Sequence, residues 1–424
     1  MSSILYRHES NNVFVVDIPA SIAEAQAFAD KQLKLISSVA IHQPWPSNEP
    51  KSDKARAKLK AQQPDDQPAQ EAIKNALTSV KDGFDAIYCF PRIVSPESVP
   101  IGQKRRRSES ESQLSVNLAG PGSQPTHAAK NVGDTLNSRP YIVLAAMNTD
   151  IESLDEVDER LVCNSTLSTV KLTSRGTSTT YTIPSQASFH IGDCSDPRYF
   201  RQGVKKQAED NQTCRRFDVV VMDPPWPSSS IRRGKQLGKS HYTVLRSVDD
   251  MRRLLFGMDL GTLVDGGGLL AVWITNKPAI RSLVASSSNS LFSQCGLQLM
   301  EEWIWVKVTS NGEPVLPVDS LWRKPYEILL VGKKVTAEEE TRSPDPQRHE
   351  VRRRVILAVP DLHSRKPCLK QLMTDVFQLP PRHRGLEIFA RNLVSGWHAW
   401  GNEALKFNDE ACWARGVVRA DFQG

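Results

Sequence analysis

Phe217-Asp-Val-Val-Val-Met-Asp-Pro-Pro-Trp226 is the stretch that decides the fold. Its first six residues form a short, β-branched, largely apolar run of the kind buried on both faces of a parallel sheet. The run stops at a carboxylate, Asp223, and two prolines. Proline has no N–H for a sheet ladder and pushes the residue before it out of the helical region, so the chain must turn stiffly here. Open α/β sheets place their ligands at the carboxyl ends of strands. The turn gathers there the Asp223 carboxylate, the carbonyls of Pro224 and Pro225, and the indole of Trp226. A carboxylate and a carbonyl that accept the two hydrogens of a weakly nucleophilic amine would hold its lone pair towards an electrophile. An indole face would stack on an extruded base, an interaction worth about 1–3 kcal/mol. The competing reading, Asp223 as a cap on a Pro-Pro loop, loses ground to the sequence that follows.

From about Ser185 onward, strand and helix signals alternate, which predicts a mostly parallel sheet with helices on both faces. Strands are expected at Ser188–Ile191, Phe217–Met222, Gly268–Ile274, Leu299–Val308, Glu327–Val331, Val355–Val359 and Leu386–Phe389. Ser247-Val-Asp-Asp250 reads as a capping box, after which Val248, Met251, Leu254 and Leu255 share one helical face. Further helices are expected at Pro278–Ser286 and Leu369–Phe377. Earlier in the chain, Val13–Asp17 and Phe84–Phe90 read as strands, and Ser21–Leu35 as a helix opened by a Ser cap. These would form an amino-terminal accessory region over residues 1–95, polar and expected to be disordered at 43–71. Residues 96–140 read as a low-complexity linker, 141–184 as an intermediate segment, and 185–424 as the main domain, with a polar surface insertion at 336–349.

With 424 residues, 39% apolar and 24% charged, the composition is that of a soluble globular protein carrying polar tails. No apolar run reaches the length of a membrane span, and no basic-then-apolar leader opens the chain, so neither a membrane nor secretion is expected. Seven cysteines without a Cys-x-x-Cys pair suit a reducing compartment and argue against a zinc site. A net charge of +6 permits a polyanionic partner without requiring one. Lys104-Arg105-Arg106-Arg107, in the linker, reads as a nuclear import signal, which sets the expected location as the nucleus. Between Pro227 and Arg246 lie five Lys or Arg residues, Arg232, Arg233, Lys235 and Lys239 among them, and no acidic ones. A supple basic loop beside a base pocket suits phosphate contacts that position a strand without reading its sequence.

The tetrapeptide Asp223-Pro-Pro-Trp226 resembles the Asp/Asn-Pro-Pro-aromatic signature of amino-methyltransferases. Residues Phe217–Lys333 and Leu362–Glu403 resemble the catalytic domain of MT-A70-type adenine methyltransferases. Glu302-Trp-Ile-Trp-Val-Lys-Val308, Ser310-Asn-Gly-Glu313, Val318-Asp-Ser320 and Lys324-Pro-Tyr-Glu327 resemble its methyltransferase-like protein 4 branch. The resemblance implies S-adenosyl-L-methionine as donor, adenine in RNA or DNA as acceptor, and a circularly permuted Rossmann-like sheet. It places Glu387, Arg391, Asn392, Asn402 and Glu403 on the cofactor, with Asp193 and Cys194. Lys366 of Ser364-Arg-Lys-Pro367 would reach the donor or the base, although Arg365 stands where relatives carry His. Tyr242 would close on the adenine, Glu327 would lie near it, and Lys324 and Tyr326 would grip it. Glu327 paired simply with Lys324 is the alternative.

The chemistry so implied is direct methyl transfer to the exocyclic amine, without a metal or a covalent enzyme intermediate. It would rest on alignment and on hydrogen bonds that favour a tetrahedral nitrogen. RNA is the favoured acceptor, as 2′-O-methyladenosine in a small nuclear RNA, with DNA adenine second. The rival is a catalytically silent subunit that binds nucleic acid or a related protein chain. Otherwise the chain is expected to act as a monomer.

Overall fold

The structure is a computed structural model that describes residues 2–27, 33–46, 49–50, 52–61, 66–94, 139–144, 147–227, 247–321, 323–336, 350–362 and 365–415. A 12-stranded sheet forms its spine. From one edge to the other run Ile4–Arg7, Val13–Val16, Arg352–Ala358, Leu297–Lys307, Tyr326–Lys334 and Val264–Ile274. Phe217–Met222, Gly385–Ile388, Trp397–Trp400, Ser188–His190, Leu161–Asn164 and Tyr141–Leu144 complete it. Parallel pairing prevails. The antiparallel exceptions are Ile4–Arg7 on Val13–Val16, Tyr326–Lys334 against both neighbours, and Ser188–His190 on Leu161–Asn164.

Helices cover both faces. On one, Arg198–Asp210, Val248–Gly257 and Gln67–Gly83 pack Phe200, Met251, Leu255, Ile73 and Val80 against Val220, Met222 and Leu270. On the other, Ile18–Gln26 and Lys370–Val376 pack Ile22, Leu372 and Met373 against Val219, Val221 and Ala271. Alternate residues of Phe217–Met222 serve opposite cores, so a continuous apolar run is what this position demands. The sheet is a permuted Rossmann-like one. The neighbour of Phe217–Met222 on one side is Val264–Ile274, next along the chain, but on the other it is Gly385–Ile388, almost at its end.

Register decides which residues share an edge. Met222 pairs with Ile388, Ile388 with Trp400, and Trp400 with His190, all in parallel. The residues following those four strands therefore emerge along one rim. Tyr326–Lys334 runs the other way and so delivers its amino end, with Glu327, to the same rim, where Lys307 pairs with Ala358. Gly385 has no room for a side chain: a Cβ there would stand 2.1 Å from the Trp397 ring.

The sheet does not stop at residue 185. Val13–Val16 pairs in parallel with Arg352–Ala358, and Tyr141–Leu144 and Leu161–Asn164 extend the opposite end. The amino-terminal strands thus belong to the spine and not to a separate lobe. The first helix spans Ile18–Gln26, not Ser21–Leu35, because Asp17 is its cap, its Oδ1 accepting from the Ala20 N–H at 2.8 Å. Ala27 takes a left-handed conformation and ends it, and Leu33–Ser37 is a strand on Trp413–Arg415. Phe84–Phe90 forms no strand. The Tyr88 N–H donates to the Ser310 carbonyl at 3.0 Å and the Phe90 N–H to Asp17 Oδ2 at 2.9 Å, so no ladder forms. Within the stretch expected to be disordered lie the helices Asp53–Ala61 and the start of Gln67–Gly83. The latter is held by Ala69, Ile73, Ala76 and Val80 at helical spacing, a pattern diluted by the polar residues around it. The basic cluster 104–107 and nearly all of the insertion at 336–349 lie outside the described residues. Among the described residues no helix is long and apolar enough to cross a membrane.

Candidate active site

The turn after Phe217–Met222 forms as the two prolines require, with the Trp226 N–H donating to the Pro224 carbonyl at 2.8 Å. One of the two carbonyls expected to face an amine is thus partly engaged. Trp226 itself is 6% exposed, packed in the core, with its indole N–H donating to the Trp273 carbonyl at 2.7 Å. This corrects the stacking role expected for it. A buried ring anchored at its nitrogen is a wedge that fixes the turn, not an open platform.

Asp223 keeps about a third of its side chain exposed (34%) and forms one end of a chain of alternating charges. Lys366 Nζ lies 3.0 Å from Asp223 Oδ2 and 2.9 Å from Glu327 Oε2, and Lys307 Nζ lies 2.6 Å from Glu327 Oε1. The Lys366 ammonium also stands 5.6 and 6.0 Å from the Trp273 and Trp305 ring centroids, within cation–π range. Burial alone would push Glu327 up, but the two ammonium groups outweigh it and hold the carboxyl at about 2. Asp223 goes the other way: burial raises it, and Lys366 only partly offsets that. Burial would lower Lys366, but its two carboxylates raise it, so it stays charged. Glu327 pairs with Lys307 and Lys366, not with Lys324.

Beside this chain opens a cleft of about 620 Å³, including its mouth, which brings together Asp223, Lys366, Glu387, Arg391 and Asn392. Trp397, Phe407 and Leu369 give it an apolar wall. Burial and the neighbouring Asp223 push the Glu387 carboxyl up to about 7. Among the described residues no hydrogen bond or ion pair engages it. A carboxylate without a partner in an enclosed cleft is suited to ligand hydroxyls or a ligand cation.

The other expected residues fall around this centre. Glu403 Oε2 lies 3.1 Å from Arg391 Nε, and Glu403 Oε1 2.8 Å from Lys406 Nζ, so Glu403 meets the cleft through Arg391. Asn402 is exposed at the turn after Trp400. Asp193 is exposed and accepts from the Ser195 N–H at 2.8 Å, an Asx turn, while Cys194 is buried with its Sγ 3.9 Å from the Trp400 carbonyl. Burial pushes that thiol up, so it stays neutral. Asp193, Cys194 and Asn402 share the rim but do not line the cleft.

Lys324 and Tyr326 are corrections. Tyr326 is 1% exposed with its hydroxyl 3.2 Å from Asp66 Oδ2, and Lys324 Nζ lies 3.9 Å from the same oxygen. Strand alternation sends Tyr326 to the face opposite Glu327, where Asp66 leads into Gln67–Gly83. Arg232, Arg233, Lys235, Lys239 and Tyr242 lie outside the described residues. Trp273 and Trp305 are buried in the core, as tryptophans within strands are expected to be, and meet the site only through their ring faces towards Lys366. Lys307 was missed by sequence reasoning; the signal was the alternation Trp305, Lys307, which puts both on one face of their strand. Among the described residues there is no group of three His, Cys, Asp or Glu able to hold a metal.

Residues 217–403 match the MT-A70 family model. The chain is 42% identical over 213 residues to the N6-methyladenosine RNA methyltransferase MTA1 of Pyricularia oryzae, covering 50% of this chain and 54% of that one. It is 31% identical over 280 residues to the N(6)-adenine-specific methyltransferase METTL4 of Mus musculus, covering 64% and 53%. To a DNA N6-methyl methyltransferase of Caenorhabditis elegans it is 28% identical over 247 residues, covering 56% and 57%. The chain spans about half the length of these curated relatives. Its strand order, its Asp-Pro-Pro-Trp turn and the match over residues 217–403 show that this chain carries an MT-A70 domain, and its similarity to the METTL4 proteins supports the METTL4-like branch.

Proposed function

We propose that this chain transfers a methyl group from S-adenosyl-L-methionine to the exocyclic amine of adenine in nucleic acid. The observation that carries the reading is the Asp223–Lys366–Glu327 chain, with Asp223 still partly open, at the mouth of a cleft containing the unpaired Glu387. The cleft fits the donor. Its apolar wall suits a nucleoside ring, Glu387 suits the ribose hydroxyls, and Arg391 and Asn392 suit an amino-acid end. When bound, the donor supplies an electrophilic methyl on sulfonium. Asp223 accepts one hydrogen of the acceptor amine and a proline carbonyl of the turn accepts the other, so the lone pair faces the cleft. Lys366 holds Asp223 in place and favours its ionised form against burial. The proton of the cationic product amine passes to Asp223, whose raised pKa suits it to receive one, or to water.

RNA is the preferred acceptor class. The relatives named for RNA stand at 42–43% identity, against 28% for the one named for DNA. Within RNA we take 2′-O-methyladenosine of a small nuclear RNA as the candidate on sequence resemblance alone, with DNA adenine second. The basic loop 228–246 is the proposed phosphate contact, with Tyr242 closing on the base. The cluster Lys104–Arg107 supports a nuclear location. Asp193, Cys194, Asn402 and Glu403 are proposed to complete the donor site from the rim.

Incubation with isotopically labelled donor and single-stranded RNA or DNA, followed by nucleoside mass spectrometry, tests the reading. Label is expected in N6-methylated adenosine from RNA. Label in DNA alone would reverse the order of acceptors. Saturable donor binding without transfer to either would make the chain a non-transferring subunit.

A further inference from the structure

Lys366 is held by residues far from it in sequence. The chain leaves the sheet at Ala358 and passes through Val359, Pro360 and Asp361 before reaching Arg365 and Lys366. Asp361 and Arg365 are fully buried, at 0% and 1% side-chain exposure, and pair at 2.5 Å. Asp361 Oδ1 accepts from the Ser38 N–H at 2.8 Å, and Arg365 Nη1 donates to the Ile36 carbonyl at 3.0 Å while its guanidinium stacks 4.2 Å over Phe407. Arg92 forks onto the same loop, donating to the Val359 carbonyl at 2.9 Å and to the Pro360 and Ser38 carbonyls at 2.8 and 3.3 Å. Beyond Lys366, the Cys368 N–H donates to Ser21 Oγ at 3.0 Å. Ser21, Ile36, Ser38 and Arg92 thus clamp the loop on both sides of the lysine.

Buried ion pairs are weak sources of stability, because desolvation offsets most of their attraction. What such a network does well is fix geometry. Lys366 must bridge two carboxylates at about 3 Å through a flexible four-carbon stem, and it can do so only if its backbone is placed correctly. We infer that Arg92 and Asp361 are positioning residues that set Lys366 between Asp223 and Glu327, making the amino-terminal segment a working part of the catalytic edge. The inference rests on the methyl-transfer reading only for its kinetic consequence.

Arg92→Lys keeps the charge but removes the fork, and Ser21→Ala removes the other clamp at almost no cost in volume. In the full-length protein both should lower kcat, Arg92→Lys by about ten-fold, with donor KM little changed. The charged groups facing Asp223 are Lys366, Glu327, Arg391 and Glu387. Displacing Lys366 removes the nearest cation, so the acid limb of the kcat profile should move to higher pH, a shift that a general loss of folded protein would not produce. A second readout needs no activity: acetylation of Lys366 by acetic anhydride, followed by peptide mass spectrometry with the exposed Lys205 as reference. Lys366 reactivity should rise several-fold in Arg92→Lys, and in Ser21→Ala should Arg92→Lys fail to fold. Wild-type Lys366 reactivity in folded variants, or raised reactivity with wild-type kcat and pH profile, overturns the inference. A wild-type protein that transfers no methyl group sinks the proposed function instead, and the reactivity arm still decides whether the clamp positions Lys366.

Discussion

Replacing Lys366 by Met removes one charge from between two carboxylates and keeps most of the apolar stem that lies near Trp273 and Trp305. At about 3 Å and an effective dielectric near 20, each contact is worth roughly 5 kcal/mol of attraction, most of which desolvation cancels. Breaking a fully buried pair costs about 3–5 kcal/mol. Asp223 retains a third of its exposure, so solvent screening lowers the expectation to about 2–3 kcal/mol at pH 7. The pH dependence identifies the cause. Glu327 is held at about 2, below its unfolded value, so its pairing stabilises the fold above roughly pH 4.5 and that contribution is lost as pH falls through about 2. Asp223 is raised, so it favours the fold while protonated and opposes it as pH rises. Without Lys366 the first effect weakens and the second grows. The penalty should therefore be largest near neutrality and shrink as pH falls below about 4.5, where the unfolded carboxyls protonate, without vanishing at about pH 3, where Glu327, held at about 2, is still mostly ionised. Urea unfolding of both proteins from pH 3 to 8 measures this. A penalty constant across that range would show that lost packing, not lost charge, destabilises the variant.

Asp223→Ala should reduce methyl transfer far beyond ten-fold, since more than about 1.4 kcal/mol of barrier is assigned to it, and leave donor affinity by calorimetry within a few-fold. A variant retaining a tenth of the wild-type rate would end the polarising role. Glu387, raised to about 7, favours the fold below its unfolded pKa and loses that contribution as pH rises through 7. Glu387→Gln should accordingly be more stable than wild type at pH 8, little changed at pH 4, and weaker in donor binding at both; equal donor affinity would remove Glu387 from the cofactor site. Trp226→Ala should cost about 3–5 kcal/mol of stability, as for a large buried aromatic. If instead stability holds and only oligonucleotide affinity falls, the ring is a stacking platform after all.

Two kinds of information separate cleanly here. Phe217–Met222, the stiff turn at Asp223 and the Ser247 cap were legible in the sequence because each depends on neighbours along the chain: β-branching, missing N–H groups, a hydroxyl three residues from an amide. Glu387, Arg391 and Asn392 entered through resemblance, and the structure places all three in the cleft. The tertiary structure decided what depends on pairing between distant segments. Whether Glu327 meets Lys324 or Lys366 turns on an antiparallel strand that brings its amino end to the rim. Whether Tyr326 faces the site turns on a period of two, which sends adjacent residues to opposite faces. The amino-terminal strands looked like a lobe of their own because nothing local records that Val13–Val16 hydrogen-bonds to Val355–Leu357. A strand's sequence states that it must be buried, and only the packed sheet states beside what.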